Sequence, residues 1–384
     1  MARARIIDSE IEALPEADRL GGWPHPRETR NVYGHGAAEA VVAEAIASGR
    51  LHHGWLISGE EGIGKATFAY RIARFLLAQK EEQPEAAATL GTSDERTARQ
   101  VANLSHPGLF VLRRAWDLSG KKFRQTIAID EVRALRHFLQ RTAVTPWRVV
   151  MVDTADDLNP NSANAILKSL EEPPLRTVFL LLSNAPGRLL PTIWSRCRLL
   201  RLEPLGAEDL RSAVAHACSA AERPAPDAEE MPVLARLGRG SARRVLQLMD
   251  DNALAIADTL TGLLTSLPRL DRFALHGLVG MTGSRETETY TIAFDLLEEM
   301  LAEAMRASAL GETSKRFPRL RSLTALMSSD SLADWAGLWE TIRQSRGEAE
   351  RLNLDKAALM LTVFEKIAET AGVAAKRAGI PGRN

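Results

Sequence analysis

The chain has 384 residues, 49 Lys plus Arg against 49 Asp plus Glu, 45% hydrophobic and 26% charged residues, and two cysteines. At roughly 100–200 residues per domain this length gives two or three folded units, and the apolar content excludes disorder as the main state. Zero net charge excludes a global attraction to nucleic acid or an anionic membrane, and Cys197 and Cys218 alone exclude a disulfide scaffold or a four-cysteine zinc site and point to a reducing cytoplasm.

Residues 1–30 read as a loose polar tail: two arginines in residues 1–7 precede the acidic stretch 8–16, with no apolar core or cleavage site of a signal peptide. No apolar run approaches the roughly 18–20 residues of a membrane helix. From Tyr33 to about Leu205, helical stretches alternate with short β-branched or Leu-rich runs, which predicts an α/β domain with a mostly parallel sheet. The clearest buried strands are 56–58, 149–152 and 178–182. Between them lie helices over 65–79 and 163–170, the second opening beside Asn159, Pro160 and Ser162. Residues 80–103 read as a mobile, cysteine-free surface insertion with one weak helix. After Leu205 the β-rich runs stop. Residues 207–250 read as a small helical domain interrupted over 221–232, and the remainder to about Ala375 is helical. Leu354, Ala358, Leu361, Phe364, Ile367 and Ala368 form an apolar stripe behind Asn353 or Asp355 as cap.

The chemistry centres on Gly59-Glu60-Glu61-Gly62-Ile63-Gly64-Lys65, which follows a strand and opens a helix. Glycines let backbone N–H groups approach a polyphosphate, the helix N-terminus favours anions, and Lys65 reaches the β- and γ-phosphates. The bland alternative is a tight glycine turn with a solvated lysine. A phosphate loop of this type carries Ser or Thr after the lysine to hold magnesium, and here that residue is Ala66. Thr67 comes next, but about 100° further around the helix. At the end of the second strand Asp153 supplies a carboxylate, followed by Thr154 where a hydrolase needs a glutamate base. Asp153 is otherwise a capping carboxylate.

With these residues in place, the chain from about Tyr33 to its C-terminus resembles the AAA+ clamp-loader ATPases of bacterial DNA polymerase III, most closely their delta-prime branch. The most specific marks are Asn164-Ala165-Ile166-Leu167-Lys168-Ser169-Leu170-Glu171-Glu172-Pro173-Pro174 and the triplet Ser195-Arg196-Cys197. Gly34-His35, the stretch 49–56, His106-Pro107-Gly108 and Gly240-Ser241-Ala242-Arg243-Arg244 match as well. The resemblance implies an AAA+ domain over 31–205, a helical lid over 206–252 and a helical collar over 253–384. It implies Ser183 and Asn184 as a polar sensor, Arg243 as a second sensor in the lid, and residues 32–35 beside the adenine. Arg196 is implied as an arginine finger acting in trans; outside the resemblance it is a surface arginine. ATP or ADP with Mg2+ is the implied cofactor, bound weakly or without hydrolysis, and the four-cysteine zinc module of many relatives is replaced by residues 80–103. His52, His53 and His106 read as structural or solvent-facing, and Cys197 as a small buried hydrophobe.

Three functions compete. The first is a non-motor clamp-loader subunit, cytoplasmic, working with gamma/tau and delta subunits, the sliding clamp and primed DNA. The second is a gamma/tau-type ATPase motor in which Thr67 and Asp156 or Asp157 replace the missing groups; the absence of a long Pro-rich or basic extension counts against it. The third is a DNA-binding scaffold using Lys315, Arg316, Arg319 and Arg321, a cluster more often simply solvated. Trp335, Trp339 and the face from Leu354 to Ile367 are candidates for collar contacts or for core.

Overall fold

The computed structural model describes residues 15–78, 89–92, 94–142, 145–228, 230–250, 253–282, 287–314, 317–352 and 354–377. The first compact unit, residues 1–244, runs α1 (Gly36–Ala47), β1 (Gly54–Ser58), α2 (Lys65–Leu77), α3 (Glu95–Ala102), β2 (Leu109–Arg113), β3 (Trp116–Asp117), β4 (Lys122–Phe123), α4 (Ile129–Gln140) and β5 (Arg148–Asp153). There follow α5 (Pro160–Glu171), β6 (Thr177–Ser183), α6 (Pro191–Trp194), β7 (Arg198–Arg201), α7 (Ala207–Ala220) and α8 (Glu230–Gly238), with α9 (Ala242–Asp250) crossing from the first unit into the second. Five parallel strands form one sheet in the order β2-β5-β6-β1-β7, and β3 pairs with β4 as a separate antiparallel ribbon.

The sheet is covered on both faces, which is why its central strands are continuous apolar runs rather than alternating ones. Every residue of β1 and β6 is buried. Side chains still alternate between faces. Val149, Met151, Val178, Leu180 and Leu182 join a core with Val42, Phe68, Ile72 and Phe75, whereas Val150, Val152, Phe179 and Leu181 join Val132, Leu135, Ile166 and Leu170 on the other side. α5 begins where the sequence places its start chemistry. Asn159 Oδ1 accepts from the Ser162 N–H at 2.9 Å, and Pro160 occupies the first turn, where its missing N–H costs nothing.

Two expectations are corrected. The described part of the insertion 80–103 is packed rather than mobile: Leu90, Ala98 and Val101 are buried, and Asp94 caps α3 by accepting from the Thr97 N–H at 2.8 Å. The polar tail is also packed from residue 15 onward, residues 1–14 lying outside the described range. Trp23 and His25 are buried, with the Arg223 guanidinium 4.3 Å from the Trp23 ring centroid. Arg74 donates to the carbonyls of Arg27 and Thr29 at 3.1 and 2.7 Å, and Arg27 donates to Ala102 O at 2.6 Å. Scattered polar residues hid this strap because its partners are backbone carbonyls and distant charges. α7 and α8 fall within the same compact unit as the sheet. Leu205 N–H donates to Gly240 O at 3.0 Å, and a Cβ on Gly240 would lie 2.6 Å from Pro204 Cβ.

The second unit, residues 245–384, contains α10 (Ala253–Thr265), α11 (Arg272–Thr282), α12 (Thr287–Ala309), α13 (Arg321–Leu326), α14 (Leu332–Leu352) and α15 (Lys356–Arg377). Asp355 Oδ1 caps α15 by accepting from the Ala357 and Ala358 N–H groups, and Asn353 lies outside the described residues. Met360, Val363, Phe364 and Ile367 are buried within this unit, as is Trp335, while Leu354 is exposed. Of the stripe read from the sequence, Phe364 and Ile367 pack this unit's own core, Leu361 and Ala368 are half-buried, and Leu354 and Ala358 are exposed. Trp339 donates to Glu298 O at 3.0 Å. Of the basic cluster, Lys315 and Arg316 are outside the described residues, and Arg319 pairs with Asp258 at 2.8 Å. No described helix is long and apolar enough to cross a membrane.

The strap is structural if Trp23 anchors it. Trp23→Ala should lower the unfolding free energy of the chain by about 3–5 kcal/mol, the range for a large aromatic removed from a core. Urea denaturation of the two proteins measures this, and a loss below about 1 kcal/mol would show that residues 15–30 are not held.

Candidate functional site

The loop from β1 to α2 sits at the C-terminal edge of the sheet, where open α/β folds collect ligands. Gly59, Gly62 and Gly64 have φ of 152°, 78° and 107°, a region closed to most side chains. Gly64 is the N-cap of α2 with no side-chain cap bond, so the first-turn N–H groups are directed at the loop's concavity. His35 fixes the loop from the α1 side, its Nε2 lying 2.8 Å from Ile63 O. The lid closes from another side: Arg243 N–H donates to Gly62 O at 3.2 Å, and a Cβ on Gly62 would lie 2.3 Å from Ser241 Oγ. Val32 is packed on the same core and Tyr33 meets the His216 ring, so residues 32–35 stand beside the loop.

Lys65 is buried and turned into the loop, donating to Gly59 O at 2.8 Å and Glu60 O at 2.5 Å. Burial pulls its ammonium down to about 8, against the favourable charges of Asp153, Glu61, Asp156 and Glu60. Asp153 at the end of β5 behaves oppositely. Burial, with the Asp18 carboxylate second, pushes it up to about 7 despite Lys65, Arg113 and Arg243. Ser183, fully buried at the end of β6, donates from Oγ to Asp156 Oδ1 at 2.7 Å, and the Asn184 N–H donates to Asp156 Oδ2 at 2.6 Å. Asp156 thus orders the sensor position. Asp157 is paired with Arg114 at 3.0 Å. Neither replaces the missing base by a free carboxylate.

The sequence reading groups Gly59, Gly62, Gly64, Lys65, Ala66, Thr67, Asp153, Ser183, Asn184 and Arg243, and the structure brings these to one end of the sheet. The sensor strand meets the loop directly, since Gly59 N–H donates to Ser183 O at 3.2 Å. Three groups escape that reading. Arg113 ends β2 in register with Asp153, and Glu16 and Asp18 of the strap lie on it at 2.6 and 2.8 Å. An arginine ending the apolar run Leu109 to Leu112 was the available signal for the first; nothing local marks the other two.

Arg196 is elsewhere. It precedes β7, whose Arg198 pairs in register with Trp55 near the start of β1, while the phosphate loop leaves β1 at its far end after Ser58. At about 3.3 Å per residue, four to five residues of strand put roughly 15 Å between them. The Arg196 guanidinium, about one-third exposed, is held by Glu171 Oε1 at 2.5 Å and donates to Thr192 O at 2.8 Å. Its surroundings form an open pocket of about 420 Å³ lined by His52, His53, Leu170, Glu171, Ser195 and Arg196. His52 and His53 stack at 4.4 Å, and His106 is buried, its Nδ1 accepting from the Gly108 N–H. Gly54 is required by close approach, because a Cβ there would lie 3.0 Å from Arg196 O. Cys197 is half-buried, and burial pushes its thiol up to about 11, which removes it as a nucleophile at neutral pH.

Residues 34–206 match the family described as "DNA polymerase III, delta subunit". The DNA polymerase III subunit delta' of Pseudomonas aeruginosa is 42% identical over 146 residues, 38% of this chain and 41% of that protein. The delta' subunit of Escherichia coli is 36% identical over 167 residues, covering 43% and 46%. The tau subunit of Escherichia coli is 31% identical over 234 residues, covering 61% and 34%. Residues 34–206 are thus similar to clamp-loader subunits of DNA polymerase III. It spans less than half the length of each of these three relatives.

The resemblance to AAA+ clamp-loader ATPases implies magnesium and a nucleoside triphosphate, and the residues present answer only half of that. The three glycines, the α2 N-terminus and Lys65 suit phosphate. The metal half does not fit, because Ala66 offers no oxygen and Thr154 no base.

The buried charges at the loop have a measurable cost. A carboxylate raised above its ordinary 3.8 favours folding at low pH, and that contribution is lost as pH rises through about 7. Asp153→Asn should therefore stabilise the chain by about 4 kcal/mol at pH 8, with no gain below about pH 4. Chemical denaturation at the two pH values tests this; an equal effect at both would contradict the raised pKa.

Proposed function

We propose that the chain is a non-motor, delta-prime-like subunit of a DNA polymerase III clamp loader that places Arg196 on ATP bound by a neighbouring subunit. The observation that carries this reading is the position of Arg196. Its guanidinium, about one-third exposed, lies at the N-terminal edge of the sheet, about a strand's length from this chain's own phosphate loop, so it has no substrate in cis. A planar guanidinium that reaches a γ-phosphate stabilises charge spreading in the transition state and is worth roughly 10³ to 10⁵ in rate. Glu171 and the Thr192 carbonyl hold the side chain at that edge.

The chain's own site supports the same division of labour. With Ala66 after the lysine and Thr154 after Asp153, magnesium is poorly held and attacking water has no base. The partners on this reading are gamma/tau and delta subunits, the sliding clamp and primed-template DNA, with DNA met through phosphates and shape rather than base edges.

The test is ATP turnover by a loader reconstituted with gamma/tau and delta subunits, clamp and primed DNA, comparing wild type with Arg196→Ala and Arg196→Lys. Turnover at the neighbouring site should fall toward 10³-fold with assembly intact, and lysine should not restore it. Unchanged turnover in an assembled loader would refute the role.

A further inference from the structure

Two arginines whose charges reach Asp153 are bound by a distant segment of the same chain. Arg113 stands beside Asp153 in the sheet register. Its two terminal nitrogens lie 2.6 Å from Glu16 Oε1 and 2.8 Å from Asp18 Oδ1. Arg243, held to the loop by its N–H bond to Gly62 O, donates from Nη1 to the Asp18 carbonyl at 3.0 Å. Asp18 Oδ2 is 3.0 Å from His25 Nε2. Glu16 is further gripped by Arg27 at 2.8 Å and Arg19 at 2.9 Å, which hold its carboxylate well below the usual range although burial opposes this. Behind these contacts Trp23, His25 and Arg27 are buried, so the segment is anchored within the fold on its C-terminal side.

Two carboxylates therefore take the terminal nitrogens of Arg113, and a carbonyl takes one nitrogen of Arg243, whose Nε lies 3.6 Å from Glu61 Oε1. Charge-assisted bonds of this kind are the strong ones, and those made to Arg113 are bidentate in effect, one terminal nitrogen to each acid. A polyphosphate entering the concavity of residues 59–65 would present anionic oxygens to the same donors.

We propose that residues 15–20 form a tethered acidic strap that occupies the phosphate-side cations of this chain's own nucleotide site, so that a nucleoside triphosphate binds only when the strap leaves. This rests on the reading of residues 59–65 as a phosphate loop and names what keeps that loop shut. Being tethered, the strap competes at an effective concentration of order millimolar, against which a free anion must prevail. Only residues 15–20 need to move, since Trp23 to Thr29 are fastened to α2 and α3 independently. Lys65 is also satisfied inside the loop, so the site holds its charge in balance without an external anion.

The test is equilibrium dialysis of ATP against the full chain in EDTA, comparing wild type, Glu16→Gln/Asp18→Asn and the same double variant with Lys65→Ala. If the strap is docked roughly 90–99% of the time, its release tightens apparent affinity about 10- to 100-fold, and Lys65→Ala should cancel the gain. An unchanged or weaker affinity in the folded double variant would overturn the proposal. Should that variant fail to fold, amide hydrogen exchange on the wild type with saturating tripolyphosphate decides. Residues 16–20 should lose protection while 23–29 keep it; no change in the strap on saturation, or no binding at all, would overturn it. Neither readout involves a neighbouring subunit, so failure of the Arg196 role leaves them unaffected.

Discussion

The parallel pairing of β1 with β7 fixes everything that follows. Two strands running the same way put the loop after one and the residues before the other at opposite edges of the sheet. The phosphate loop leaves β1 at Ser58, and Arg196 enters β7 at Arg198. No side-chain rotation brings an arginine across that span. A chain built this way offers its phosphate loop to one side and its guanidinium to the other, which is what the proposed action of Arg196 on a neighbouring subunit requires.

Around that constraint the phosphate end is balanced by internal partners. Lys65 is bound by loop carbonyls, Asp153 is pushed toward neutrality by burial, Asp156 orders Ser183 and Asn184, and the strap satisfies Arg113 and Arg243. Each of these is an expensive group to bury unpaired. Such a site keeps the architecture of nucleotide binding, including the three left-handed glycines, while lacking the oxygen and the base that hydrolysis requires. Retained shape with eroded chemistry is consistent with selection on how the domain fits beside neighbours rather than on its own turnover.

Legibility followed locality. β1, β5 and β6 were plain in the sequence because strands buried on both faces are unbroken apolar runs, and the glycines and Lys65 because their spacing is contiguous. β7 was not, since only Leu200 of Arg198-Leu199-Leu200-Arg201 is buried on this edge strand. Arg196 and Arg243 were reached only through family resemblance, as no periodicity marks them. The strap was unreadable: Glu16 and Asp18 find Arg113 some 95 residues away and Arg243 at 225, and polar residues that pair over such distances look like solvated chain. The stripe on α15 was read correctly as periodic, but periodicity cannot say whether a face meets its own core or a partner, and Phe364 and Ile367 meet their own.

On the proposed function one chain carries an idle phosphate loop and a working arginine, and one substitution tests that separation directly. Lys65→Ala should be placed in the reconstituted loader, and clamp- and DNA-stimulated ATP hydrolysis measured beside wild type. The account predicts unchanged turnover with assembly intact, because this chain's loop hydrolyses nothing. A clear loss of turnover would contradict it and make the chain a motor in its own right.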